Sequence, residues 1–192
     1  MFAELPASAA WRHQDALDGF EVVFFESHRT GCQLIGHTAA VEAGRAWAVR
    51  YSIELDEHWH TRSAHVQGWS HAGQRDLLLQ SEDEAVWWLD GSHLPELDGC
   101  WDVDLESSSC TNMIPVHRLA LDVGQRVEAP AVYVRALGLD VERLEQQYMR
   151  IDDDGVHQRF DYLSPAFDFE CVLTYDEAGL VLEYPGIAAR VL

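Results

Sequence analysis

The sequence contains no lysine, so all thirteen of its basic residues are arginines. They are set against 33 aspartates and glutamates, which gives a formal net charge of −20. A surface this acidic repels the phosphates of nucleic acids and of anionic membranes at long range. We therefore expect neither DNA nor RNA to be a partner.

Long apolar runs and paired cysteines are also missing. No segment reaches the ~20 apolar residues that a membrane-spanning helix needs, and the first residues lack the basic start and apolar core of a secretory signal. No C-x-x-C pair, typical of zinc and redox sites, occurs among the four cysteines. We expect a cytoplasmic protein with free thiols, no cofactor and no stable membrane insertion.

Apolar and polar residues alternate along most of the chain, which is typical of strands with one buried face. The clearest examples are the segments 46–55 and 167–175. Further strands are predicted at 20–26, 33–43, 59–69, 75–81, 85–90, 101–106, 131–137, 145–151, 156–163 and 180–184. Short strands at this spacing predict a mainly β (α+β) fold, a highly curved antiparallel sheet or open half-barrel.

Only one helix is clearly predicted, over residues 112–121, with Thr111 or Asn112 as its cap and Pro115 in its first turn. The segment 139–148 fits either a helical turn or a strand. With no linker or repeat, residues 1–192 form one domain. One short helix cannot fill the concave side of so many strands, so an apolar hollow is expected.

All seven tryptophans lie in the first 101 residues, and six of them, from Trp47 to Trp101, fall in predicted strands. Most large aromatic residues belong to cores, but an aromatic hollow in a curved sheet can also hold acyl chains or stack on sugar rings. The tryptophans therefore point to a small-molecule cavity.

Three other patterns carry chemistry but are weaker. His58 and His60 share a strand face, yet a metal site needs more ligands than this pair supplies. Asp102 and Asp104 could do acid–base work, but they alternate with Trp101 and Val103 and are expected to face solvent. The serines at 107–109 lack the turn sequence of a nucleophile. We predict neither a metal site nor catalytic residues.

Several motifs in order resemble a known family. They are RYSIELDEHWHTRSAHV (50–66), LDGCWDVDL (97–105), TNMIPVHRLAL (111–121), LEQQYMRID (144–152) and GLVLEYPGIAAR (179–190). On these motifs the chain, from about residue 11 to the end, resembles the bacterial putative glycolipid-binding family. It departs from the family pattern at Ser108–Ser109, where a proline is usual, and at His117, where an arginine is usual.

The resemblance implies a half-barrel with a helix in its mouth, similar to lipoprotein carriers of the LolA/LolB type. It implies non-enzymatic binding of an amphiphile, a glycolipid or acyl compound, with its head near Arg62, Asn112 and Arg118. The segment 102–120 would be a structural joint leading into the concavity. The candidate cavity residues are Trp47, Trp59, Arg62, Trp69, Trp87, Trp101, Asn112, Arg118, Tyr148 and Tyr184.

Two alternatives stay open. One is an enzyme acting on a lipid or sugar conjugate, which would pair Asp102 or Asp104 with His60 or His117. The other is a protein-interaction module with an acidic convex face. Arg118 is open too, since it either clamps a head group or, as we favour, forms a buried ion pair with Asp102, Asp104 or Asp56.

Overall fold

The computed structural model describes residues 2–15 and 17–191, which form seventeen strands, one α-helix and several 3-10 turns. The strands are β1 (Ser8–His13), β2 (Leu17–His28), β3 (Gly31–Glu42), β4 (Arg45–Asp56), β5 (Thr61–Ser70), β6 (Gly73–Glu82), β7 (Val86–Leu89), β8 (Ser92–His93), β9 (Asp102–Leu105), β10 (Arg126–Glu128), β11 (Ala131–Val134), β12 (Val141–Leu144), β13 (Gln147–Asp154), β14 (His157–Ser164), β15 (Phe169–Tyr175), β16 (Val181–Tyr184) and β17 (Ala188–Arg190). The 3-10 turns are Asp83–Ala85, Pro95–Leu97, Cys110–Asn112 and Pro165–Phe167, and helix α1 is Met113–Leu119.

Fourteen strands form one curved antiparallel sheet in the order β10-β13-β14-β15-β16-β17-β1-β2-β3-β4-β5-β6-β7-β8. Strand β1 lies in the middle, paired with β2 on one side and with β17 on the other. Strands β8 and β10 form the two edges, so the sheet does not close into a barrel. This confirms the predicted open, curved antiparallel sheet.

A smaller inner sheet, in the order β12-β11-β9, accompanies the helix on the concave side. Strands β9 and β11 run parallel, the one departure from antiparallel pairing among the described strands. All four residues of each are buried. The sequence assigned these segments to the main sheet, but they form an inner layer because both of their faces are covered.

Strand β4 shows how the alternating pattern sets the faces of the outer sheet. Trp47, Val49, Tyr51, Ile53 and Leu55 are all buried and point into the concavity, as the sequence predicts. They belong to a large apolar cluster that joins strands β1–β7 to β9, β11 and the start of α1. A second cluster joins β13–β16 to Val116 of the helix.

The helix is shorter than predicted, and Asn112, one of the two predicted caps, occupies the N-cap position without a capping hydrogen bond from its side chain. Residues Cys110–Asn112 form a 3-10 turn, and α1 begins at Met113, with Pro115 in its first turn. Neither predicted side chain caps the helix. Thr111 Oγ1 donates to Asp104 at 2.8 Å, and Asn112 Oδ1 accepts from Tyr148 at 2.8 Å.

Candidate functional site

A cavity of about 300 Å³ lies between the outer sheet and the inner layer. It is bounded by the start of α1, by β11 and β12, and by strands β14–β16 of the outer sheet. Its aromatic wall consists of Trp47, Tyr133, Tyr162, Phe167, Phe169 and Tyr184. Its aliphatic lining is Leu17, Leu105, Ala136, Leu144 and Ile187.

The joint between β9 and α1 forms one wall, and Glu21 holds it in place. Glu21 is fully buried on β2. Its carboxylate accepts hydrogen bonds from Tyr51 Oη at 2.7 Å and from the Ser109 amide at 2.8 Å, and a further one from Ser108 Oγ. Thr38 Oγ1 adds a bond of 2.7 Å to the Ser107 carbonyl. The serine run is therefore a structural joint, as the sequence predicts. One of its residues, Ser108, also lines the cavity.

Asn112 is locked next to this joint. Besides the bond from Tyr148 to its side chain, its carbonyl accepts from Tyr175 Oη at 3.2 Å. Because Asn112 is 3% exposed and lines the cavity, its position is set by two buried tyrosines before any ligand arrives.

Trp47 lines the cavity and carries an unpaired donor. Its side chain is buried, yet its Nε1–H has no hydrogen-bond partner among the described residues. A buried donor without an acceptor is costly and therefore uncommon. Trp47 is among the residues that line the cavity, so its unpaired donor lies close to the space a ligand would occupy.

Asp104 is the buried acid of the cavity. Burial raises the pKa of its carboxyl from 3.8 to about 6, opposed by the bond from Thr111 and reinforced by the charge of Asp102. The prediction that Asp102 and Asp104 face solvent is wrong. Strand β9 is an inner strand with no solvent face, so both acids are buried.

Arg135 lines the cavity and forms ion pairs with two carboxylates. Its guanidinium contacts Glu106 at 3.1 Å and Glu142 at 2.7 Å. It also lies 5.1 Å from the ring centres of Tyr133 and Phe167. Since Phe167 is 40% exposed, this group marks the solvent-facing side of the cavity.

Of the ten residues predicted for one cavity, Trp47, Asn112 and Tyr184 line it. Tyr148 lies behind Asn112, fully buried. Trp87 is a core residue whose Nε1 donates to the Cys100 carbonyl at 2.7 Å. Tyr148 and Trp87 therefore pack in the protein interior and do not line the cavity.

The other five predicted residues lie elsewhere. Trp69 is 42% exposed because it pairs with Ala48, whose side chain points away from the concavity. Trp101 packs on His60, with ring centres 4.2 Å apart, and Arg62 binds Asp56 at 2.8 Å. Arg118 binds Asp102 and does not line the cavity.

The fifth, Trp59, borders a separate open groove of about 900 Å³ beside the turn between β2 and β3. It adopts a positive φ of 65° and stacks on His117, with ring centres 3.8 Å apart. His117 donates to the Ala178 carbonyl at 3.0 Å, and burial lowers the pKa of its imidazole to about 4. A neutral histidine stacked on Trp59 anchors the helix where the family pattern has an arginine.

The sequence did not single out Tyr133, Tyr162, Phe167, Phe169 or Glu21. The four aromatics carry no local signal that distinguishes a cavity residue from a core residue. The position of Glu21 could have been predicted, because it lies on the same face of β2 as Val23 and Phe25. An acid in an inward position of a strand points to a buried polar anchor.

No group of three or more histidines, cysteines or acids that could hold a metal ion occurs within residues 2–15 and 17–191. In the same part of the chain, no helix is long and apolar enough to cross a membrane.

The family model described as putative glycolipid-binding matches residues 8–190. The chain belongs to the putative glycolipid-binding family. No curated protein gives a significant match. Two crystal structures are similar across nearly the whole family domain.

The first similar structure is a DUF1089 family protein from Pseudomonas aeruginosa. It is 30% identical, with a TM-score of 0.75, over 100% of this chain and 99% of that one. The second is a β-barrel-like protein of the DUF1849 domain of unknown function from Brucella abortus. It has 10% identity and a TM-score of 0.57, over 99% of this chain and 96% of that one. This second likeness concerns the fold alone.

Proposed function

We propose that this protein binds a small amphiphile, without converting it, in the cavity lined by Trp47, Asp104 and Asn112. The observation that carries the proposal is an aromatic cavity lined by Trp47, a buried residue whose Nε1–H has no acceptor among the described residues. Ligand sites are mostly apolar clefts with a few placed polar groups, and this cavity has that character. The family description supports a glycolipid as the ligand class.

The volume limits what the cavity can take. At about 300 Å³ it is at the small end of ligand pockets. It has room for one sugar ring or a short stretch of acyl chain. The rest of a larger glycolipid would extend beyond it.

The enzymatic alternative would pair Asp102 or Asp104 with His60 or His117, and both histidines have other hydrogen-bond partners. His60 hydrogen-bonds to Asp56 at 3.3 Å and His117 to the Ala178 carbonyl. Within the described residues, neither histidine forms a hydrogen bond or ion pair with Asp102 or Asp104, which supports binding without conversion. The location in the cytoplasm also stays a proposal, supported by four cysteines that form no disulfide.

The test begins with the purified protein, extracted with organic solvent and examined by mass spectrometry, together with a thermal-shift panel of neutral and charged lipids. We expect a co-purified amphiphile or a rise in melting temperature with one lipid class, because a ligand that binds only the folded state stabilises it. Clean extracts with no shift across the panel would overturn the proposal.

Trp47→Phe adds a residue-level test, since it keeps most of the ring but removes the free donor. The loss of one hydrogen bond should weaken binding roughly fivefold. Trp69→Phe on the exposed convex face is the matched control and should bind like the unaltered protein. Equal effects of the two substitutions would exclude Trp47 as a ligand contact.

A further inference from the structure

We propose that the ligand enters the cavity head first, and that the head is uncharged and rich in hydroxyl groups. Anionic amphiphiles are excluded, and Asp104 is the residue that sets this selectivity. This inference rests on the proposed function, and it adds the orientation and the head-group class.

The orientation follows from how polarity and exposure are distributed around the cavity. The polar groups Ser108, Asn112, Asp104 and the Trp47 indole are all between 3% and 8% exposed. Phe167, at the solvent-facing side, is 40% exposed. Buried polar groups need hydrogen-bonding partners, whereas the exposed ring of Phe167, beside the ion-paired Arg135, offers an alkyl chain an apolar surface. A sugar placed inside meets both the donors and acceptors and the aromatic rings, while its tail leaves past Phe167.

The charge of the head follows from the acids in the lining. Glu42, Asp104 and Glu106 line the cavity, and among the described lining residues Arg135 is the one cation. Arg135 already contacts two carboxylates, Glu106 and Glu142. Within the described residues, no ion pair involves Asp104. A sulfate, phosphate or carboxylate head would therefore meet negative charge without a free cation, in a partly desolvated site where repulsion is strong.

Asp104 is also suited to bind hydroxyl groups. Its ionised carboxylate accepts hydrogen bonds from sugar hydroxyls, and its neutral form can donate as well as accept. The titratable groups around it are Asp102 on its own strand, Glu106 directly after that strand, and five tyrosines of neighbouring strands (Tyr133, Tyr148, Tyr162, Tyr175 and Tyr184). Burial raises the pKa of every one of these tyrosines, so they stay neutral from pH 5 to pH 8.

The experiment compares three compounds that share one tail: octyl β-glucoside, octyl sulfate and octanol. Binding is measured by calorimetry below the micelle concentrations, at pH 8 and at pH 5. At pH 8 we expect octyl glucoside to bind about tenfold or more tightly than either of the others. At pH 5, where Asp104 is largely protonated, octyl sulfate should approach the glucoside, because its own charge is unchanged.

The variant Asp104→Asn should reduce the difference in affinity between octyl glucoside and octyl sulfate at pH 8. It should also make that difference independent of pH. Glu26→Gln is the matched control, since it removes the same charge from an exposed position on the outer sheet. The pH comparison on the unaltered protein tests the same idea without any substitution. If Glu26→Gln reduces the difference in affinity between the two compounds as much as Asp104→Asn does, the overall charge sets selectivity and the inference fails.

The remaining outcomes separate this inference from the proposed function. If octyl sulfate binds as well as octyl glucoside at pH 8, the charge selection is wrong but the cavity still binds amphiphiles. If octanol binds as tightly as octyl glucoside, the tail occupies the cavity and the head-first orientation is wrong. If none of the three compounds binds and the lipid panel is also negative, both proposals fail.

Discussion

Arg118 and Asp102 form a two-pronged ion pair that fastens the end of helix α1 to strand β9. Arg118 Nε lies 2.8 Å from Asp102 Oδ1, and Nη2 lies 2.6 Å from Oδ2. The Asp102 side chain is 1% exposed and that of Arg118 is 13% exposed. Of the two roles left open by the sequence, the structure shows the ion pair.

Arg118→Ala should lower the free energy of unfolding by roughly 3–5 kcal/mol, because it leaves a buried carboxylate without its partner. Arg118→Lys keeps the charge but loses the fork of donors, so its cost should be smaller. Urea unfolding of the three proteins measures this. A near-normal stability of Arg118→Ala together with lost lipid response would instead indicate a head-group clamp.

Glu21→Ala should destabilise the joint strongly. The Ser109 amide would lose its acceptor inside the protein, which costs about 1–3 kcal/mol. The Tyr51 hydroxyl would lose one of two partners and keep Ser108 Oγ at 3.1 Å. Glu26→Ala, an exposed position on the same strand, should change stability by less than about 0.5 kcal/mol. Equal unfolding midpoints in urea for the two variants would contradict the anchoring role of Glu21.

Gly36→Ala tests the space on which this anchor depends. A Cβ atom at Gly36 would lie only 1.9 Å from Cζ of Tyr51, on the paired strand β4. The ring would have to move, and overpacking of this kind costs about 1–3 kcal/mol. The cost should shrink in a Tyr51→Ala background, and a double-mutant cycle in urea measures that coupling. Additive effects would show that the ring does not fill this space.

The pH dependence of stability should carry the titration of Asp104. Because its pKa is raised from 3.8 to about 6, the folded state binds the proton more tightly than the unfolded chain. The resulting stabilisation is fully present below pH 4 and is lost as the pH rises through 6. A difference of about 2 between the folded and unfolded pKa values corresponds to about 3 kcal/mol in the free energy of unfolding. Asp104→Asn lacks this titration, so it should gain stability relative to the unaltered protein between pH 4 and pH 8.

Melting temperatures of both proteins across this pH range, with Glu26→Gln as control, provide the measurement. The comparison is necessary because the buried His117 acts in the opposite direction. Its pKa is lowered to about 4, so its contribution is lost as the pH falls through that value. Parallel pH profiles for Asp104→Asn and the unaltered protein would show that Asp104 does not titrate in this range.

The outer sheet could be predicted from the sequence because one face of its strands packs on the core and the other is exposed to solvent. Alternation in β4 therefore gave the inward residues correctly, from Trp47 to Leu55. The same argument failed for β9, where Asp102 and Asp104 alternate with apolar residues although both faces are buried. Alternation reports that two faces differ in chemistry, and it does not report whether the second face is covered by other strands.

The site was harder to predict for the same reason. Its walls come from segments far apart in sequence, among them Trp47, Asn112 and Tyr184. Asn112 was found through the family motif, and Trp47 and Tyr184 through their aromatic rings. What no local pattern shows is that the Trp47 donor lacks a partner, since this depends on atoms contributed by distant strands.

The pairing of β1 with β17 has a consequence for how the chain is made. Strands β1–β8 follow one another along the sheet, so this half can begin to assemble while synthesis continues. Its β1 edge, however, must wait for residues 188–190 to emerge from the ribosome. Until then a nascent chain exposes an unpaired edge, which is the surface through which strands of different chains associate. Folding of this protein therefore ends with a contact between its most distant strands, and premature release or crowding of nascent chains should favour aggregation at that edge.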